Sequence, residues 1–131
     1  MHSVIITPLY AAGLGIILLI LSIRVVAVIR AKGGVLYGDG GNPDFTPVLR
    51  GQQNFIEYVP LILILIGFAE AGGSSATWIH GMGAALLVAR VVHPIGLTSK
   101  AGVNPLRFIG TNLTWIVLLM AAVLILVNHY G

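Results

Sequence analysis

The chain has 131 residues, of which 57% are hydrophobic and only 8% charged, whereas soluble domains usually carry about 25% charged residues. So little charge cannot cover a soluble surface, and lipid must be the solvent for most of the molecule, which makes it an integral membrane protein. The absence of cysteine excludes disulfides and thiol catalysis by the protein itself, and a net charge of +3, scattered among apolar runs, is no nucleic-acid signature.

Four apolar stretches, each near the ~20 residues that cross a bilayer core, are read in chain order at about 4–29, 48–69, 76–96 and 106–128. The expectation is an all-α bundle of four transmembrane helices in a single domain over residues 1–131. The first stretch lacks a basic leader and a small-residue cleavage site, so it is expected to be retained as a span. The connection after it contains Gly38-Asp39-Gly40-Gly41, which reads as a sharp turn carrying a carboxylate. It has neither the lysine of a phosphate loop nor the ligand pattern of an EF-hand. The second connection is a tight turn, Glu70 to Ser75. In the third, Asn104 and Pro105 suit an N-cap and a first helical turn, which places Arg107 where free N–H groups and the helix dipole favour an anion. Charge alone leaves Arg107 open to a second reading, a membrane anchor.

All seven Lys and Arg fall at one end of the spans: Arg24, Arg30, Lys32 and Arg50 around the first connection, and Arg90, Lys100 and Arg107 around the third. The positive-inside rule makes that end cytoplasmic and leaves both termini outside. Tyr10, Trp78 and Tyr130 are expected at the outer interface, and Tyr37 and Phe45 at the inner one. Gly13, Gly15, Gly81, Gly83, Ala84 and Ala85 permit close helix approach, and a cavity for a ligand is more easily built between subunits of an oligomer.

Chemistry gathers at the basic end. Arg50, Asn54 and Glu57, at i, i+4 and i+7, lay a cation, an amide and a carboxylate along one helix face. Arg50 alone would read as a snorkelling anchor. Glu57 lies about 10 Å deeper, at 1.5 Å per residue, where a carboxylate needs a partner, either Arg90 in an interhelical staple or a ligand in a polar cavity. Arg90 and His93 share a face of the third span, and Arg24 calls for a partner on a neighbouring helix. Arginine forks match carboxylates, and Glu57 suits an ammonium, so the implied ligand is a small anionic zwitterion, with an apolar second substrate entering from lipid. His80 reads as an interface residue, His2 and His129 as incidental, and no tight His/Glu spacing suggests a metal.

The run Arg50-x-x-x-Asn54-x-x-Glu57-Tyr58-x-Pro60 resembles the signature of the MAPEG family, the membrane-associated proteins in eicosanoid and glutathione metabolism, and the likeness extends over essentially the whole chain. Arg90-x-x-His93 resembles the prostaglandin E synthase branch, and the Tyr37-Gly-Asp-Gly-Gly loop a bacterial subgroup. The resemblance implies a homotrimer in the bacterial inner membrane, with glutathione held between subunits by Arg50, Asn54, Glu57, Tyr58, Arg90 and His93, and by Arg30 of a neighbouring subunit. It implies that Arg107 stabilises the glutathione thiolate, for transferase or peroxidase chemistry on a lipophilic electrophile. Two departures stand out: the segment around Arg107 is one residue longer than in the prostaglandin branch, and Leu97 replaces a tyrosine common four residues past the histidine. Two other classes compete: a small multidrug-type transporter coupled through Glu57, and a non-catalytic membrane scaffold.

Overall fold

The computed structural model describes residues 2–98 and 104–131, the side chain of Thr98 excepted. Helix α1 (Thr7–Val25) runs straight on into a π-helical segment, Val26–Lys32. Helices α2 (Thr46–Ala71), α3 (Ala76–Thr98) and α4 (Pro105–Tyr130) follow. Together they make four helical runs long and apolar enough to cross a bilayer; the first is shifted by three residues from the expected span and the other three are longer by one to four. The up-down order brings the C-terminal ends of the first and third runs beside the starts of α2 and α4. Arg24, Arg30, Lys32, Arg50, Arg90 and Arg107 therefore share one end of the bundle, as the charge pattern anticipated; Lys100 lies outside the described residues.

The core runs through the middle of the bundle, where Leu14, Phe55, Val59, Ile62, Met82, Leu86 and Val117 are buried against one another. The most extensive interface joins α3 and α4, and glycine sets its spacing. A Cβ on Gly110 would lie 2.7 Å from His93 Cβ and 3.0 Å from the Ala89 carbonyl, and one on Gly96 would overlap the Arg107 backbone. Among the expected small residues, Gly13 and Gly83 do serve close approach, to Leu87 and the Tyr10 ring, but Gly15 and Gly81 face open space.

The end away from the basic residues is closed by a carboxylate. Helix α1 begins without a side-chain cap of its own. Its free N–H groups are met instead by Glu70, from the last turn of α2: Ile5 and Ile6 donate to Oε1 (2.9 and 2.7 Å), and the Thr7 N–H and hydroxyl to Oε2 (2.8 and 2.5 Å). An anion at a helix N-terminus satisfies orphan donors and opposes the dipole at once. Glu70 is buried, so the carboxylate most enclosed by the bundle is this one and not Glu57.

In the first connection, Gly38, Gly40 and Gly41 adopt φ of 61°, 63° and 75°, the left-handed region open to glycine. The Asp39 carboxylate accepts from Gly41 N–H (2.9 Å) and the Thr46 hydroxyl (2.6 Å). The Thr46 hydroxyl, and then the Gly41 N–H, hold the Asp39 carboxyl below its usual range. A depressed folded pKa means these bonds stabilise the loop at neutral pH and are lost as pH falls through the lowered value. Hydrogen exchange at Gly41 N–H should therefore stay protected at pH 7 and lose protection only below about pH 4, the ordinary carboxylate value; flat protection down to pH 2 would contradict this.

Candidate functional site

Arg90 sits fully buried where α2, α3 and α4 meet. Its Nη1 donates to Asn54 Oδ1 on α2 at 2.8 Å and to the Thr114 hydroxyl on α4 at 3.4 Å, and the guanidinium lies 5.6 Å from the Phe55 ring centroid. Thr114 is itself fixed by donating to the Gly110 carbonyl at 2.7 Å. One edge of the fork is thus held rigidly. Among the described residues, Arg90 Nε and Nη2 and His93 Nδ1 are buried with no hydrogen-bond partner. Each such orphan costs about 1–3 kcal/mol, which is a signature of a position completed by something else.

The three-residue stripe on α2 divides. Asn54 turns inward to Arg90, whereas Arg50 and Glu57 stay on the open flank, paired at 3.2 Å with side chains 46% and 49% exposed. Gln53 accepts from the same Arg50 nitrogen at 3.1 Å. This corrects the staple between Glu57 and Arg90: Glu57 bonds Arg50 on its own helix, although its charge still acts on Arg90 through space. It also corrects the picture of a stripe turned as a unit into a polar cavity. Tyr58 is half-buried against the core.

The remaining candidates are distributed as follows. Arg107 stands exposed in the first turn of α4, and Asn104 caps that helix as expected, accepting from Leu106 N–H at 2.9 Å. Arg107 shares this end of the bundle with Arg50, Arg90 and the buried His93. Arg30 is the exception. Its Nη1 donates to the carbonyls of Val35 (3.1 Å) and Gly38 (2.8 Å), tying down the first connection of its own chain. Arg24 has no hydrogen-bond or ion-pair partner among the described residues, so the interhelical partner expected for it is not found. At the far end, His80 Nδ1 pairs with the Tyr10 hydroxyl at 2.8 Å, away from the basic cluster. Sequence reasoning passed over Thr114 and Gly110. Gly110 and Thr114, at i and i+4 on α4, were visible only as small flexible or polar residues in an apolar run.

This arrangement can present an anion with a cluster of guanidiniums, and an amine with Glu57, on a flank of the bundle. Glu57 lies about 16 Å along α2 from its start, well within hydrocarbon depth, where an exposed ion pair does not face lipid tails. The flank must be covered by protein or by a ligand.

The chain matches the MAPEG family over residues 7–127. It belongs to that family. It is also 31% identical over 115 residues, 88% of this chain and 86% of the relative, to "Inner membrane protein YecN" of Escherichia coli K12, and equally to the protein of that name from Escherichia coli O6:H1 strain CFT073. Family and helices together make this MAPEG protein a multi-pass membrane protein, as composition required.

Proposed function

We propose that the protein is a glutathione-dependent transferase or peroxidase of the bacterial inner membrane, acting on a lipophilic electrophile, with its single four-helix domain (residues 1–131) assembled as a homotrimer and both termini outside the cytoplasm. The observation that carries this reading is the buried Arg90 with two unpartnered N–H groups, beside an unpartnered His93 nitrogen and beneath an exposed Arg50–Glu57 pair.

The donor set fits glutathione. Two carboxylates on the ligand answer an excess of guanidiniums, and its ammonium answers Glu57. Arg50 and Glu57 hold each other only through an exposed contact, worth about 0–1 kcal/mol where water reaches it. Exchanging that contact for a ligand's carboxylate and amine costs little. Asn54, Tyr58, Arg90 and His93 would complete the cradle from below, and Arg30 would join from a neighbouring subunit once released from its loop carbonyls. Glutathione, when bound, supplies the sulfur nucleophile. Arg107 would place positive charge, at the positive end of the α4 dipole, where negative charge at sulfur would be stabilised. The transporter reading asks Glu57 to take a cation, and the arginines at this end of the bundle, Arg50 at 3.2 Å among them, oppose a ligand of net positive charge.

Calorimetric titration of the purified protein with glutathione tests the reading directly. Binding should be measurable in the wild type and about tenfold or more weaker in Glu57→Gln, since losing an ion-paired hydrogen bond costs about 1.5–3 kcal/mol. Equal affinity in the two proteins would remove the ammonium from Glu57, and no heat with either would remove glutathione.

A further inference from the structure

Arg24 is a cation inside the first membrane-spanning run, half-buried and without a partner among the described residues. We infer that it pairs with Glu57 of a second copy of the chain, so that the cleft between α1 and α3 of each protomer receives the open flank of α2 from its neighbour.

An unpaired cation within a span is costly, so an anion must reach Arg24. The chain has four acidic residues. Glu70 is spent at the far end on the start of α1, and Asp39 on Gly41 and Thr46. Asp44 stands before α2 begins, on the side from which Arg24 leans away, because helical side chains tilt toward the N-terminus of their helix. Glu57 remains. It holds Arg50 by Oε1 and accepts from nothing else among the described residues.

The levels match. Gln52 Nε2 donates to Ser22 Oγ at 3.0 Å, which sets those residues side by side on the antiparallel α1 and α2. Arg24 and Arg50 each come two residues nearer the basic end, so they are level with one another. Arg50 already bridges the seven residues to Glu57, about 10.5 Å of helix axis, with a contact of 3.2 Å. A guanidinium at that height on a neighbour reaches Glu57 more easily: Arg24 tilts away from the basic end and Glu57 toward it, so the two lean together. Copies related by an axis along the membrane normal keep these levels. The pair cannot close within one chain. Arg24 lies about 200° round α1 from Ser22, and Glu57 about 140° round α2 from Gln52, so both turn away from their own α1–α2 seam. Two different faces that fit each other make a heterologous contact, the kind that closes into a ring. Both faces also continue as apolar ridges running from the charge in the same direction. On α1, Ile20 and Ile17 follow Arg24 at i−4 and i−7 and line the cleft, about 260 Å³ in volume. On α2, Leu61, Ile64 and Phe68 follow Glu57 at i+4, i+7 and i+11, all three exposed.

A carbodiimide, which joins an amine to a carboxylate without a spacer, tests the pair in detergent-purified Arg24→Lys, where both charges are kept. Covalent dimers should form with positions 24 and 57 joined in their peptide map, and that link should vanish in Arg24→Lys/Glu57→Gln. No link, a link within one chain, or a link from position 24 to another acid would overturn the inference. A double-mutant cycle covers the native arginine. Arg24→Gln and Glu57→Gln should each weaken the oligomer about tenfold by native mass spectrometry, and the double variant no further, since both remove one contact. An additive, roughly hundredfold loss would overturn it. So would an intact oligomer in Arg24→Gln that has lost a co-purifying anionic lipid, because lipid would then be the occupant. The glutathione reading fails separately, since link and cycle are both read without that ligand. Where glutathione binds as proposed, its ammonium displaces the cation at position 24 from Glu57, and saturating glutathione should cut the yield of the link at least threefold. An unchanged yield beside a measured heat of binding would take the ammonium from Glu57 and leave the pair standing.

Discussion

Arg107→Ala is expected to bind glutathione with nearly wild-type affinity yet leave its thiol protonated at neutral pH. A thiol of ordinary pKa ~8.5 is only about 3% ionised at pH 7, and lowering it by two units makes it mostly thiolate, for about 2.7 kcal/mol of differential stabilisation. A guanidinium in the first turn of a helix, reinforced by the positive end of the helix dipole and shielded from bulk water, supplies energy of that order. Arg107 stands in the first turn of α4, after the Asn104 cap, at the end of the bundle that also holds Arg50, Arg90 and His93. It is exposed in the single chain, so the shielding would come from a neighbouring subunit and the bound ligand. The ultraviolet absorbance of thiolate should therefore fall roughly twentyfold in the variant at pH 7, with turnover falling alongside. An undiminished thiolate signal at saturating glutathione would move the role to another cation, with Arg90 the next to examine.

Glu70→Gln should cost the fold about 2–4 kcal/mol, the largest stability effect of any conservative change at the end of the bundle away from the basic cluster. The carboxylate takes four hydrogen bonds, three of them from backbone N–H groups that have no other acceptor at the start of α1. An amide keeps one oxygen but turns an NH2 group toward those donors, which is worse than a simple loss. Thr7→Val is the matched control: it removes only the hydroxyl bond, and should cost about 1 kcal/mol. Thermal melting in detergent separates the two variants, and equal midpoints for Glu70→Gln and the wild type would show that water caps this helix equally well. Glutathione affinity should not move, because Glu70 lies at the opposite end from Arg90 and Arg107.

Much of this was legible in the sequence, because the signals concerned were local. Runs of apolar residues fixed four spans to within a few residues, and the clustering of Lys and Arg placed the basic end. Asn104 followed by Pro105 predicted a cap that the structure contains. The Gly-Asp-Gly-Gly turn is a turn for the reason its residues suggested, glycine at positive φ and Asp39 bonded within the loop. What failed was partner assignment. Helical periodicity gives the angle of a side chain about its own axis, and Arg50, Asn54 and Glu57 do lie close in angle. It says nothing of where the neighbouring helix stands, and α3 approaches so that Asn54 alone turns inward. The pairing of Glu70 with residues 5–7 has no local signature, since a glutamate beside a glycine turn looks like any solvated helix end. Nor does Val26 to Ile29 differ from ordinary helical sequence, yet the chain is π-helical there and delivers Arg30 to its own loop carbonyls.

Bonds spanning 63–65 positions also impose an order on biosynthesis. A ribosome adding about 5–20 residues per second exposes the first turn of α1 roughly 3–13 s before the acceptor that will satisfy it exists. Through that interval the leading segment must rest at a wet boundary or in the translocation machinery, and its final seating in the bilayer waits for the second hydrophobic stretch to arrive. The first two spans thus mature as a hairpin, and truncating the nascent chain before position 70 leaves the entry of the first without its clasp.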